Sequence, residues 1–103
     1  MRPFSTKFLA ILDDPATEWS TGLELARLCV AANIPTTYVA AALEVTRATV
    51  YNWFRGQDIR KKKRKMVELL MEHLKGDLHK GVLPAKDQEA AKRYIEELTG
   101  IPI

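Results

Sequence analysis

Residues 37 to 56 read TYVAAALEVTRATVYNWFRG, and two helical periodicities meet inside this stretch. Val39, Ala40 and Leu43 fall at i, i+1 and i+4, on one side of a first short helix; Val50, Trp53 and Phe54 fall at i, i+3 and i+4, on one side of a second. Two apolar faces so close in the chain can share one core. The connection between them is Glu44-Val45-Thr46, in which Val45 can fill the space between the helices. Thr46 is placed to cap the second helix, its hydroxyl accepting from an amide that would otherwise lack a partner. Left on the outer side of that helix are Arg47, Ala48, Tyr51, Asn52 and Arg55, a single polar stripe opposite Trp53.

Outward from this pair the chain reads as more helix. Phe8, Leu9 and Leu12 have helical spacing in a first segment, which Asp13-Asp14-Pro15 should end, and Trp19 in the following connection could dock on the core. Thr21-Gly22-Leu23-Glu24 matches a capping box, after which Leu25, Leu28, Cys29 and Ala32 repeat at i, i+3, i+4 and i+7 until about Asn33. Ile34-Pro35 opens the next helix. Gly56 is placed to stop the second helix of the central pair, and Gln57-Asp58-Ile59 forms a short loop before RKKKRK, residues 60 to 65. Val67, Leu70, Met71 and Leu74 then recur at i, i+3, i+4 and i+7, with Met66, Leu69 and His73 widening the apolar side. So broad a face predicts burial by this domain and by a further surface.

Gly76 interrupts that pattern, and residues 81 to 84 read as a turn or linker. A last amphipathic helix is expected over 85 to 99, with Ala91, Tyr94, Ile95 and Leu98 on one side and Gly100 as its stop. Two arrangements are open: it folds back on its own domain, or Tyr94, Ile95 and Leu98 pack against a second subunit. No strand-like alternation interrupts the series. The expected fold is therefore all-α, a compact helix-turn-helix bundle of about five helices over 1–80, plus a C-terminal amphipathic helix in 85–103.

Composition sets the outer bounds. The 103 residues, 47% hydrophobic and 28% charged, suit one globular domain able to bury a core without staples. The lone cysteine, Cys29, cannot form an internal disulfide and sits between Leu28 and Val30, which predicts a buried thiol. The short apolar run near the amino terminus is far below membrane-spanning length and lacks a cleavage signature, so a cytoplasmic protein is expected, in bacteria or in a phage-infected host. The net charge is only +3, but it is unevenly placed. Residues 46 to 65 carry eight cations against Asp58 alone, whereas residues 1 to 45 and 66 to 103 each carry two more acids than cations. Such a basic stripe on a mildly acidic protein is a footprint for a polyanion.

The segment VAAALEVTRATVYNWFRG, residues 39 to 56, resembles the helix-turn-helix of the lambda-repressor-like (Cro-type) family of phage and bacterial regulators. Ala40 corresponds to the family's alanine in the supporting helix, Val45 to its hydrophobic turn residue, Thr46 to its cap, Val50 and Trp53 to its buried positions and Gly56 to its closing glycine. The resemblance implies base contacts from Thr46, Arg47, Ala48, Thr49, Tyr51 and Asn52 in the major groove of double-stranded DNA. It also implies a homodimer on half-sites about 34 Å apart. Arginine suits a bidentate grip on guanine and asparagine on adenine. The flanking cations Arg55, Arg60, Lys61, Lys62 and Lys63 would hold phosphates. The family usually has glycine where this chain has Glu44, which predicts a somewhat different turn.

The run of six cations points the same way. A helix macrodipole disfavours positive charge at the amino end by about 0.3 to 1 kcal/mol per group, and a bound phosphate would reverse that sign. Catalysis finds little support: His73 and His79 are six apart, no metal-ligand set accompanies Cys29, and no phosphate loop or nucleophile motif is present. A sequence-specific transcriptional regulator, not an enzyme, with no cofactor or metal and no membrane partner, is the first expectation. The alternatives are a module that binds and redirects a host protein, and a non-specific nucleic-acid-binding protein.

Overall fold

The computed structural model describes residues 4–13 and 20–103. Six helices follow in order: α1 Thr6–Asp13, α2 Thr21–Ala32, α3 Thr36–Leu43, α4 Arg47–Phe54, α5 Lys61–His79 and α6 Gln88–Thr99. The described residues contain no strand, and the all-α bundle with an added C-terminal helix is what the chain forms. Trp19 and the Asp14-Pro15 stop lie outside the described residues. In α1, Leu9 is partly buried against the core.

α2 packs on α4 and α5, and α3 packs on α4, α5 and α6. Leu25, Cys29, Ile34, Val39, Leu43, Val50, Phe54 and Val67, all fully buried, form the centre where these helices meet. The approach of α2 to α4 is close enough to demand a glycine: a Cβ on Gly22 would lie 2.0 Å from the Trp53 carbonyl oxygen. Gly22, buried in the first turn of α2, is thus a packing residue and more than one letter of a capping motif.

Helix ends follow from local chemistry, with three shifts from expectation. Ser20, not Thr21, is the cap of α2, its hydroxyl accepting from the Leu23 amide at 3.1 Å. The expected capping box therefore begins one residue early and loses its Glu24 partner position. The last helix starts at Gln88 rather than Ala85, because Asp87 accepts from the Ala90 amide at 2.7 Å and caps it there. α5 runs straight through Gly76 to His79. A helical glycine costs about 1 kcal/mol relative to alanine, too little to break a helix held by Val67, Leu70, Met71 and Leu74.

α6 folds back on its own chain. Ala91 and Ile95 are fully buried, so Ile95 is spent on packing in cis and cannot face a second subunit in this arrangement. The connection before α6 is anchored rather than loose: Leu83 and Ala85 are buried, the Ala85 amide donates to Ala32 O at 2.9 Å, and Asn33 Nδ2 donates to Ala85 O at 2.7 Å. Asp77 gathers three elements. Its backbone oxygen accepts from Val82 and Leu83, and its carboxylate accepts from the Tyr94 hydroxyl at 2.5 Å. Burial, and then this bond to a carboxylate, push the Tyr94 phenol well above its ordinary range.

Candidate nucleic-acid interface

α3 and α4 are joined by Glu44, Val45 and Thr46. Glu44 adopts the left-handed conformation, φ 56° and ψ 44°, so the turn takes the shape a glycine would give it, at a cost of about 1 to 2 kcal/mol for a residue with a Cβ. Val45 is partly buried against the core, as its turn position requires. Thr46 caps α4: the Thr49 amide donates to its hydroxyl at 3.2 Å, and the two threonine hydroxyls lie 3.0 Å apart. Val50, Trp53 and Phe54 are buried behind the helix. At the far end Gly56, φ 103°, closes α4, with Gln57 N donating to Asn52 O and Gly56 N to Trp53 O, the pairing of a Schellman cap.

This inner anchoring presents a definite outer face. Thr46, Arg47, Ala48, Tyr51 and Arg55 are exposed, while Thr49 and Asn52 are half-buried on the flank that turns toward α5. Tyr51 is 40% exposed and rests edge-on against Phe54, ring centroids 6.4 Å apart, which holds its hydroxyl end outward.

The basic segment divides into two functional parts. Lys63 Nζ donates to Leu43 O at 3.0 Å, placing a positive charge on the carbonyl end of α3, where the macrodipole favours it. Arg64 Nε donates to Ile59 O at 3.2 Å and shapes the loop before α5. Two of the six consecutive cations therefore have folding partners, although the macrodipole at the start of α5 disfavours positive charge there. The side chains of Arg47, Arg55, Arg60, Lys61 and Lys62 have no hydrogen-bond or ion-pair partner among the described residues.

A groove of about 550 Å³ runs between α4 and the start of α5. Thr49, Asn52, Arg60, Lys62 and Lys63 line it, together with Gln57 and Asp58. Five residues chosen from two separate sequence features thus share one concave surface, whereas Arg47, Ala48, Tyr51, Arg55 and Lys61 lie outside its lining. Gln57 and Asp58 were not expected there; their position directly after the helix-closing Gly56 is the signal that brings them back beside Asn52. Of the three residues singled out on α6, Tyr94 is bound to Asp77, Ile95 is internal, and Leu98 lines a separate apolar groove with Met66, Leu69 and His73.

Elsewhere the chemistry is structural. Cys29 is fully buried, and burial pushes its thiol up to about 12. Among the described residues no group of three or more His, Cys, Asp or Glu is placed to hold a metal ion, and no helix is long and apolar enough to cross a membrane. Comparison with protein-family models, curated proteins and solved structures returned no match.

Proposed function

We propose that this chain binds double-stranded DNA sequence-specifically and acts as a transcriptional regulator, with α4 as the helix that enters the major groove. The observation that carries the reading is the groove joining Asn52 on α4 to Lys62 and Arg60 at the start of α5. It places a polar side chain able to read a base edge beside unpaired cations able to hold a phosphate. Arg47, Ala48 and Tyr51 continue the reading face. Thr46 and Thr49 add a contact surface whose hydroxyls are already oriented by each other. Arg55, Arg60, Lys61 and Lys62 supply the phosphate grip, and Lys63 contributes to it with the one donor that Leu43 O and Met66 Sδ leave free, since an ammonium has three.

A duplex binding titration at several salt concentrations tests the reading. Affinity should fall steeply with salt, by a log–log slope that becomes shallower by roughly one to two when Lys61 and Lys62 are both replaced by alanine. No duplex binding even at low salt would remove the proposal and favour an acidic protein as the partner of the basic segment.

A further inference from the structure

The groove between α4 and α5 holds one acid. Asp58 lines it together with Arg60, Lys62 and Lys63, and it is the sole acidic residue between Thr46 and Lys65. A carboxylate there opposes the approach of a phosphate that the three cations favour. Folding does not account for it. Asp58 is exposed, and its side chain has no hydrogen-bond or ion-pair partner among the described residues.

The position of Asp58 is nevertheless fixed from both sides. The Gln57 amide donates to Asn52 O at 3.0 Å, which holds the chain just before Asp58 against the last turn of α4. Ile59, just after it, is buried, and Ile59 O accepts from Arg64 Nε at 3.2 Å. An unpaired carboxylate is thereby carried on a short, doubly anchored loop, in the same groove wall as Asn52.

We propose that Asp58 is a specificity-determining residue, which accepts a hydrogen bond from the exocyclic amino group of a cytosine in the major groove. The inference rests on the DNA reading above and adds to it a residue outside α4. An ionised carboxylate can only accept. Cytosine presents its N4 donor with no acceptor beside it, adenine sets N7 next to its N6 donor, and the polar groups of guanine and thymine in this groove are acceptors alone. The carboxylate therefore favours cytosine, disfavours adenine and is repelled by guanine and thymine. Its repulsion of phosphate makes the same group costly on any duplex that lacks that cytosine, which turns a loss of general affinity into discrimination.

Selection from a random duplex pool by the parent chain, Asp58→Ala and Asp58→Asn tests this role. The parent consensus should contain a C·G pair whose change to T·A lowers parent affinity about tenfold. Asp58→Ala should reduce that ratio to about twofold or less, with the other positions of the consensus unchanged. Asp58→Asn, whose amide both donates and accepts, should tolerate several bases at the same position. Both variants should bind a duplex without the consensus about threefold more tightly than the parent at low salt, because a negative charge has left the groove. Asp58 is exposed and outside the helices, so circular dichroism should report an unchanged fold. A uniform gain in affinity with the consensus intact would overturn the proposal. If that happens while Arg47→Ala or Asn52→Ala still relaxes its own position, base reading by α4 stands and only the role of Asp58 falls. A parent chain that enriches no consensus removes both.

Discussion

The ammonium of Lys63 donates to the Leu43 carbonyl at 3.0 Å, tying the first turn of α5 to the last turn of α3. One residue earlier, Lys62 is exposed and unpaired beside the same groove. Adjacent lysines therefore have separable tasks. Lys63→Ala should cost about 1 to 2 kcal/mol of stability, because a charge-assisted bond to a helix-end carbonyl is lost. Lys62→Ala should leave stability within about 0.5 kcal/mol and lower duplex affinity. Paired urea unfolding and duplex titration of the two variants check this division.

Gly22 makes a sharper prediction about the scaffold. The atom a Cβ would strike is the Trp53 carbonyl oxygen, which belongs to the backbone of α4 and cannot rotate away. Gly22→Ala should destabilise the chain by about 3 kcal/mol, the upper end for forced overpacking. Trimming Trp53 to Phe in the same chain should not restore stability, since the clash is not with the indole. Denaturant midpoints of the single and double variants decide it.

Two positions should be improvable. Glu44 occupies a left-handed conformation, and Glu44→Gly should stabilise by about 0.5 to 1 kcal/mol after allowing for the freer unfolded chain. Thr36, 4% exposed, holds a buried hydroxyl without a hydrogen-bond partner among the described residues. Thr36→Val keeps its shape and should raise stability by about 1 kcal/mol. Thermal unfolding of both variants provides the check.

Cys29 predicts an alkaline limit. Its thiol is pushed from 9.0 to about 12 by burial, so between those values the unfolded chain has lost a proton that the folded chain keeps. Stability present below pH 9.0 is therefore lost as pH rises toward 12, by up to about 1.4 kcal/mol per pH unit. Cys29→Ala should lower stability at neutral pH by opening a small cavity, yet flatten the decline above pH 9.0. The thiol should also resist alkylation until the chain unfolds. Unfolding free energies of parent and variant across this range, with a thiol-labelling rate, test both statements.

Much of the fold was legible because it rests on patterns within a few turns of helix. Val39, Leu43, Val50 and Trp53 announced a helix pair, Gly56 announced the end of α4 and Gly100 the end of α6, since apolar spacing and positive φ are local properties. Choices between neighbouring caps were not legible. Ser20 and Thr21 are chemically alike, and Asp87 competes with the pattern that begins at Ala85; which one caps depends on where the preceding chain approaches. Contacts made by the tertiary fold were hidden altogether. Nothing near Gly22 announces Trp53, nothing near Lys63 announces Leu43, and nothing near Asn33 announces Ala85. The candidate site divides along the same line. The exposed stripe of α4 and the cationic run could be read from spacing and charge, whereas their meeting in one groove, and the folding roles of Lys63 and Arg64, required the packing of α3, α4 and α5 to be known.

The central claim is that α4 reads bases, and its most direct test is selection from a random pool of duplex DNA by the parent chain and by Arg47→Ala and Asn52→Ala. The parent should enrich a defined consensus. Each variant should relax that consensus at its own position, at about 1 to 3 kcal/mol of lost discrimination, while the remaining positions stay fixed. A pool that yields no consensus, or a consensus that neither substitution changes, would contradict base reading by α4.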